Sequence, residues 1–106
     1  MASQLKVIHC KIVRGGFSGE RGFKIKLANG DEYVSLAAVG HLFKADKTPL
    51  EKHEPPEKEE ISGYVAARSL KKEGPNSIVE VPDGQLVMVN GCLDDYPQEK
   101  PQHVSV

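Results

Sequence analysis

Residues 23–30 have the sequence FKIKLANG, in which apolar and charged side chains alternate up to an Asn-Gly pair. The alternation is typical of an antiparallel strand with one face in the core and one in water, and it places Lys24 and Lys26 on the outer face. Asn29 and Gly30 tolerate positive φ angles, which makes their pairing a strong hairpin signal. The sequence therefore predicts a hairpin whose second strand is residues 32–36, and it leaves the register of that second strand open.

Other stretches with β character lie on both sides of this hairpin. Residues 5–13 are rich in β-branched side chains and predict a strand covered on both faces over part of its length, and residues 61–70 predict another. A second hairpin is expected from residues 77–81 to 85–90 around a Pro-Asp-Gly turn. Residues 37–43 predict one short helical turn, because Gly40 disfavours a longer helix.

Together these stretches predict an all-β protein. Short strands with alternating faces close readily into a small barrel that leaves no long free edge. We therefore predict an SH3-like barrel of about five or six short antiparallel strands with at most one helical turn. A two-sheet sandwich is the alternative.

The length of 106 residues predicts one domain, which we assign to residues 1–93. Within it, residues 44–60 are rich in Glu and Pro and offer almost nothing to bury, which predicts a flexible acidic loop. Residues 94–106 contain two prolines and few apolar side chains, which predicts a disordered C-terminal tail.

Composition and charge limit the class of protein. The chain is 39% hydrophobic and 27% charged with a formal net charge of -1, so the molecule as a whole has no field that would attract a polyanion. The sequence starts without a signal-like segment, and charged residues interrupt every apolar run, which predicts a cytoplasmic protein that does not enter membranes. Two cysteines in such a protein predict free thiols.

The residues that could carry chemistry do not form a recognisable motif. No pair of them has the spacing of a zinc site, and the adjacent His9 and Cys10 point to opposite faces of a strand. The candidate metal ligands are His9, Cys10, His41, His53, Cys92 and His103. We expect no metal, no cofactor and no enzymatic activity. The alternative is a small enzyme or a small-molecule-binding barrel with a pocket near His41 or Cys92.

Glycines recur at positions 15, 16, 19 and 22, but a strand pattern follows them where a nucleotide-binding motif requires a helix. With Phe17 they form a Gly-x-Phe-x-Gly-x-x-Gly pattern over about a dozen residues. This pattern resembles the turn of KOW elements, which occur in SH3-like barrels of ribosomal proteins and transcription elongation factors. The acidic segment and the neutral overall charge depart from that family.

Positive charge is concentrated near the N-terminus. Residues 1–27 carry six basic side chains against one glutamate, which is an excess of five positive charges. The rest of the chain carries an excess of negative charge that brings the net charge to -1. A modest basic surface is expected here, unless these side chains are ordinary solvated residues that protect strand edges. The candidate binding residues are Arg14, Phe17, Arg21, Lys24 and Lys26.

The function predicted from this surface is a non-enzymatic interaction module. A protein partner is favoured over RNA, because the chain as a whole is not basic. A homodimer formed by pairing of an exposed strand is a further alternative.

Overall fold

The computed structural model describes residues 4–15, 19–91 and 93–97. This part of the chain contains eight β-strands and one 3-10 turn. They are β1 (Gln4–Arg14), β2 (Glu20–Lys26), β3 (Glu32–Ala38), the 3-10 turn (Val39–His41), β4 (Leu42–Lys44), β5 (Glu60–Glu73), β6 (Asn76–Glu80), β7 (Leu86–Asn90) and β8 (Leu93–Asp95).

Six of the strands lie side by side in the order β3-β2-β1-β5-β6-β7, and every neighbouring pair is antiparallel. β4 pairs with β5, and β8 pairs with β1. The sheet curls into a half-barrel, so the predicted all-β class is confirmed. The strands are not uniformly short, since β1 has 11 residues and β5 has 14.

The core lies inside the curl of the sheet. The alternation predicted for β2 is confirmed, because Phe23 and Ile25 are fully buried while Lys26 is exposed. In β1 the alternation holds at Cys10, which is buried, and His9, which is exposed, but Val7 is also fully buried on the face opposite the core, as predicted for a strand covered on both faces over part of its length. Strands β1 to β7, together with Leu50 and Val81 outside them, contribute to one core, which comprises Ile8, Cys10, Ile12, Phe23, Ile25, Ala37, Leu42, Leu50, Val65, Ala67, Val79, Val81 and Val89.

Both predicted hairpins are present. Gly30 has φ +96°, and the Leu27 amide donates to the Asp31 carbonyl oxygen at 2.8 Å. Gly84 has φ +90° in the second turn, a backbone conformation that glycine adopts without steric cost. The predicted helical turn is also confirmed, as the short 3-10 turn after β3.

The turn between β6 and β7 reaches under β3. The Asp83 carboxylate accepts hydrogen bonds from the Tyr33 hydroxyl and the Ser35 hydroxyl, both at 2.5 Å. These contacts show the register of β3 that the sequence left open: Tyr33 and Ser35 point inward, while Val34 and Leu36 point outward.

Residues 44–60 are more firmly anchored than the sequence predicted. Lys44 belongs to β4, Leu50 is 5% exposed within the core, and Pro55 is buried. The premise that this segment has nothing to bury is therefore wrong. We call residues 50–56 the strap, because they cross the end of the sheet next to β1 and β2.

The start of the predicted tail also differs from the expectation. Residues 94 and 95 belong to β8, where Lys6 and Asp95 form an ion pair of 3.1 Å. Tyr96 packs edge-on against Phe43, with ring centroids 5.5 Å apart. Pairing with β1 thus orders charged residues that would not form a strand alone. Residues 98–106 lie outside the described part of the chain.

Candidate binding surface on β2 and β3

The side chains that point outward from β2 and β3 form the candidate surface. In the register of this hairpin Lys24 lies opposite Val34, and Lys26 lies opposite Glu32. We define the β2–β3 face as the surface formed by Lys24, Lys26, Val34 and Leu36. It contains two of the five side chains predicted from the sequence and two apolar ones that were not predicted.

The apolar part of this face is open to solvent. Val34 is 57% exposed and Leu36 is 47% exposed. Leu36 lies opposite Gly22, where a Cβ atom would come within 2.8 Å of the Val13 side chain. Because Gly22 has no side chain, Val13 of β1 lies over it and extends the apolar strip across three strands.

Charged groups around this strip balance one another. Lys24 forms an ion pair of 2.6 Å with Glu60, and the hydrogen bond that its ammonium donates to this carboxylate is the main reason why the pKa of Lys24 is raised. Lys11, directly opposite Lys24, donates to the Ser62 hydroxyl at 3.2 Å. The face is therefore an apolar strip with charges of both signs at its rim, and not a basic patch.

Arg21 does not belong to the surface. It is fully buried on the inner face of β2, in line with Phe23. Its guanidinium donates to the backbone carbonyl oxygens of Glu54 at 2.6 Å, Lys52 at 2.5 Å and Glu20 at 2.8 Å. Burial lowers the pKa of Arg21 below its usual value, and the neighbouring charge of Arg14 lowers it further. The prediction of a binding role for Arg21 assumed an exposed side chain, and that assumption is wrong.

Arg14 has a similar position at the end of β1. It lies directly opposite Arg21 and is half-buried. It donates to the carbonyl oxygens of Pro55 at 3.0 Å and His53 at 3.1 Å. The two arginines together hold the strap by its backbone, so their charges serve the fold and are turned away from the β2–β3 face.

Phe17, the fifth predicted binding residue, lies outside the described part of the chain, as do Gly16 and Ser18. β1 runs to Arg14 and β2 begins at Glu20, so residues 15–19 connect the two strands. Three of the eight residues of the KOW-like pattern, 16–18, thus lie outside the described part of the chain, while Gly22 lies within β2.

An apolar groove adjoins the face at the end of β2. Lys26 lines it together with the apolar side chains of Ile8, Leu27 and Val89. The groove has a volume of about 440 Å³, large enough to accept an anchoring side chain from a partner.

The alternative site near His41 is a shallow depression. Exposed His41 borders it together with Arg68 and Glu80, whose side chains are 3.9 Å apart. Its volume is about 230 Å³, below the roughly 300–1,000 Å³ typical of small-molecule sites. Cys92, the other residue of that alternative, lies outside the described residues.

Cys10 is a buried thiol of the core. Burial raises its pKa to about 12, so it is protonated at neutral pH. Across the described ranges, no three His, Cys, Asp or Glu side chains are grouped as a metal would require. None of the helices in the same ranges is long and apolar enough to cross a membrane.

One feature of the site could have been found in the sequence: extending the alternation of β2 backwards by two residues places Arg21 on the inner face. The register of β3 could not, because Leu27 pairs with Asp31 around a three-residue turn, whereas a two-residue Asn-Gly turn would set Ser35 opposite Lys24. The strap acceptors of Arg21 could not have been found either, because they lie 31 and 33 residues away.

Comparisons of the chain with protein-family models, with curated proteins and with solved structures find no match. The candidate surface is therefore interpreted from its own geometry.

Proposed function

We propose that this protein is a non-enzymatic interaction module that binds a protein partner through the β2–β3 face. The observation that carries the proposal is the exposure of Val34 and Leu36 side by side on a regular strand at the edge of the sheet. Exposed apolar patches with polar rims are typical of protein–protein interaction sites.

The chemistry of the face favours protein over RNA. Binding of a nucleic acid requires several uncompensated cations along the phosphate backbone, whereas Lys24 is already paired with Glu60. The expected partner offers apolar side chains to the strip and carboxylates to the exposed ammonium of Lys26. The proposal also keeps two wider interpretations of the sequence, that the fold is an SH3-like barrel and that the protein is cytoplasmic.

Capture experiments with matched variants test the proposal. The purified protein is immobilised, and binding from a lysate of the source cells is compared for wild type, Lys24→Glu/Lys26→Glu and Lys71→Glu/Lys72→Glu. The second double variant makes the same change of charge at the exposed end of β5, away from the face. We expect the first double variant to capture at least about tenfold less partner than wild type, and the second to capture as much as wild type.

The same experiment includes outcomes that would contradict the proposal. Capture should weaken as salt rises, because exposed charges are screened over about 8 Å at physiological ionic strength. Equal capture by the two double variants would refute the β2–β3 face. Loss of the captured material after nuclease treatment would show that the partner is a nucleic acid.

A further inference from the structure

The outer edge of β3 carries unpaired backbone groups. In an antiparallel pair, opposite residues alternate between hydrogen-bonded and non-hydrogen-bonded positions. The phase is fixed at both ends of the hairpin, where the Leu27 amide donates to Asp31 at 2.8 Å and the Val39 amide donates to Gly19 at 3.0 Å. Residues 33, 35 and 37 therefore bond to β2, and residues 32, 34, 36 and 38 turn their backbone groups to the free edge.

No strand covers this edge within the described ranges 4–15, 19–91 and 93–97. The strand also lacks the devices that normally protect an edge. Its seven residues, EYVSLAA, contain no proline and no lysine, and its pairing with β2 has no bulge. The edge of β7, by contrast, is partly closed, because the Ala28 amide donates to the Met88 carbonyl oxygen at 2.9 Å.

We propose that β3 pairs antiparallel with β3 of a second copy of this chain, about a two-fold axis through Ser35. In this register Val34 lies opposite Leu36 of the partner subunit, and Glu32 lies opposite Ala38 of the partner subunit. All four outward-turned residues of each strand then form backbone hydrogen bonds across the interface.

The sequence of β3 is complementary to itself in this register. The apolar residues on either side of Ser35 meet their counterparts to form a cluster of four, and apolar cross-strand pairs stabilise a sheet. The two Glu32 carboxylates lie at opposite ends of the joined strands, so like charges do not meet in the ladder. A net charge of -1 leaves little repulsion between whole copies.

One interaction opposes the pairing. Each Asp83 carboxylate lies beneath its own Ser35, so the two carboxylates approach the axis from the same side of the joined sheet. Because of this repulsion and the small area of a single strand pair, we expect the dimer to be weak. The β2–β3 face stays open in the dimer and is presented twice.

Sedimentation equilibrium of the purified full chain in reductant, from about 10 μM to about 1 mM, tests the proposal. The apparent mass should rise with concentration toward twice the 11.6 kDa of one chain. Leu36→Lys should weaken association at least about tenfold, because it places two ammonium groups in the apolar cluster. Leu36→Pro should do the same by removing an edge donor while the β2–β3 hydrogen bonds remain.

Leu86→Lys is the matched control, because Leu86 is an exposed apolar residue of β7, the strand at the other end of the sheet. It should leave association unchanged, and circular dichroism should show that all three variants are folded. A mass of one chain at every concentration up to about 1 mM would overturn the proposal. Equal effects of Leu86→Lys and Leu36→Lys would also overturn it. No partner is present in this measurement, so its failure is distinct from failure of the proposed function.

Discussion

At the scale of single residues, Arg21 joins two parts of the chain that are far apart in sequence. Its buried guanidinium donates to carbonyl oxygens of the strap, as Arg14 does from the neighbouring strand. A planar group with five donors suits several carbonyl acceptors, and lysine cannot reproduce that geometry. Arg21 is therefore a structural residue.

We expect Arg21→Lys to lower the free energy of unfolding by about 3 kcal/mol, because hydrogen bonds from a charged group contribute about 1.5–3 kcal/mol each and their loss strands buried acceptors. Urea denaturation measures the change. Lys26→Ala, on the exposed side of the same strand, should stay within about 0.5 kcal/mol of wild type. Equal stability of Arg21→Lys and wild type would show that the hydrogen bonds from Arg21 to the strap are dispensable.

Cys10 provides a second test at this scale. Its pKa of about 12, against an ordinary value of 9.0, reduces the reactive thiolate fraction about a thousandfold near neutral pH. In a Cys92→Ser background, a thiol-specific reagent should therefore label Cys10 only when the protein unfolds. Labelling of the native protein at the rate of a free thiol would contradict its burial.

At the scale of elements, the sequence predicts what depends on neighbouring residues. The two hairpins follow from their Asn-Gly and Asp-Gly turns, and the inner face of β2 follows from alternation. β8 was missed because its strand character depends on pairing with β1, nearly the whole chain length away. The packing of the strap was missed for the same reason, since Leu50 and the arginine contacts acquire their role only in the folded sheet.

The contact between Asp83 and β3 should respond to pH. Desolvation raises the pKa of Asp83, but hydrogen bonds from Ser35 and Tyr33 outweigh it and hold the pKa below its ordinary value. The folded state therefore binds fewer protons, so this stabilisation is present above the ordinary pKa and is lost as the pH falls through the lowered pKa. Amide exchange should show β3 better protected in wild type than in Asp83→Asn at about pH 6, with the difference narrowing toward about pH 3. A difference that does not change with pH would contradict this account.

The strap should depend on Arg21 for its protection from proteases. Local opening exposes backbone to cleavage, and the carbonyl contacts of Arg21 oppose that opening. We expect trypsin to cleave after Lys52 at least about tenfold faster in Arg21→Lys than in wild type. Lys24→Ala serves as the control. Equal cleavage of wild type and Arg21→Lys would show that the strap is held without Arg21.

At the scale of the whole molecule, the four basic residues predicted to bind a partner divide into two groups. The two arginines turn inward and hold the strap, while Lys24 and Lys26 turn outward beside the exposed apolar residues of β3. Successive side chains of a strand point to opposite faces, so Arg21 and Lys24, three residues apart in β2, lie on opposite faces of the sheet. The surface available to a partner is therefore smaller and more apolar than the charge count of the sequence implied.

The binding role of the β2–β3 face is tested most directly by amide chemical-shift mapping of the isotope-labelled protein with its captured partner. We predict the largest shifts at Lys24, Lys26, Val34 and Leu36, and none at Lys71 or Lys72 beyond the spectral error. Shifts centred on the depression around His41, with the β2–β3 face unchanged, would contradict the account and support a ligand-binding barrel instead.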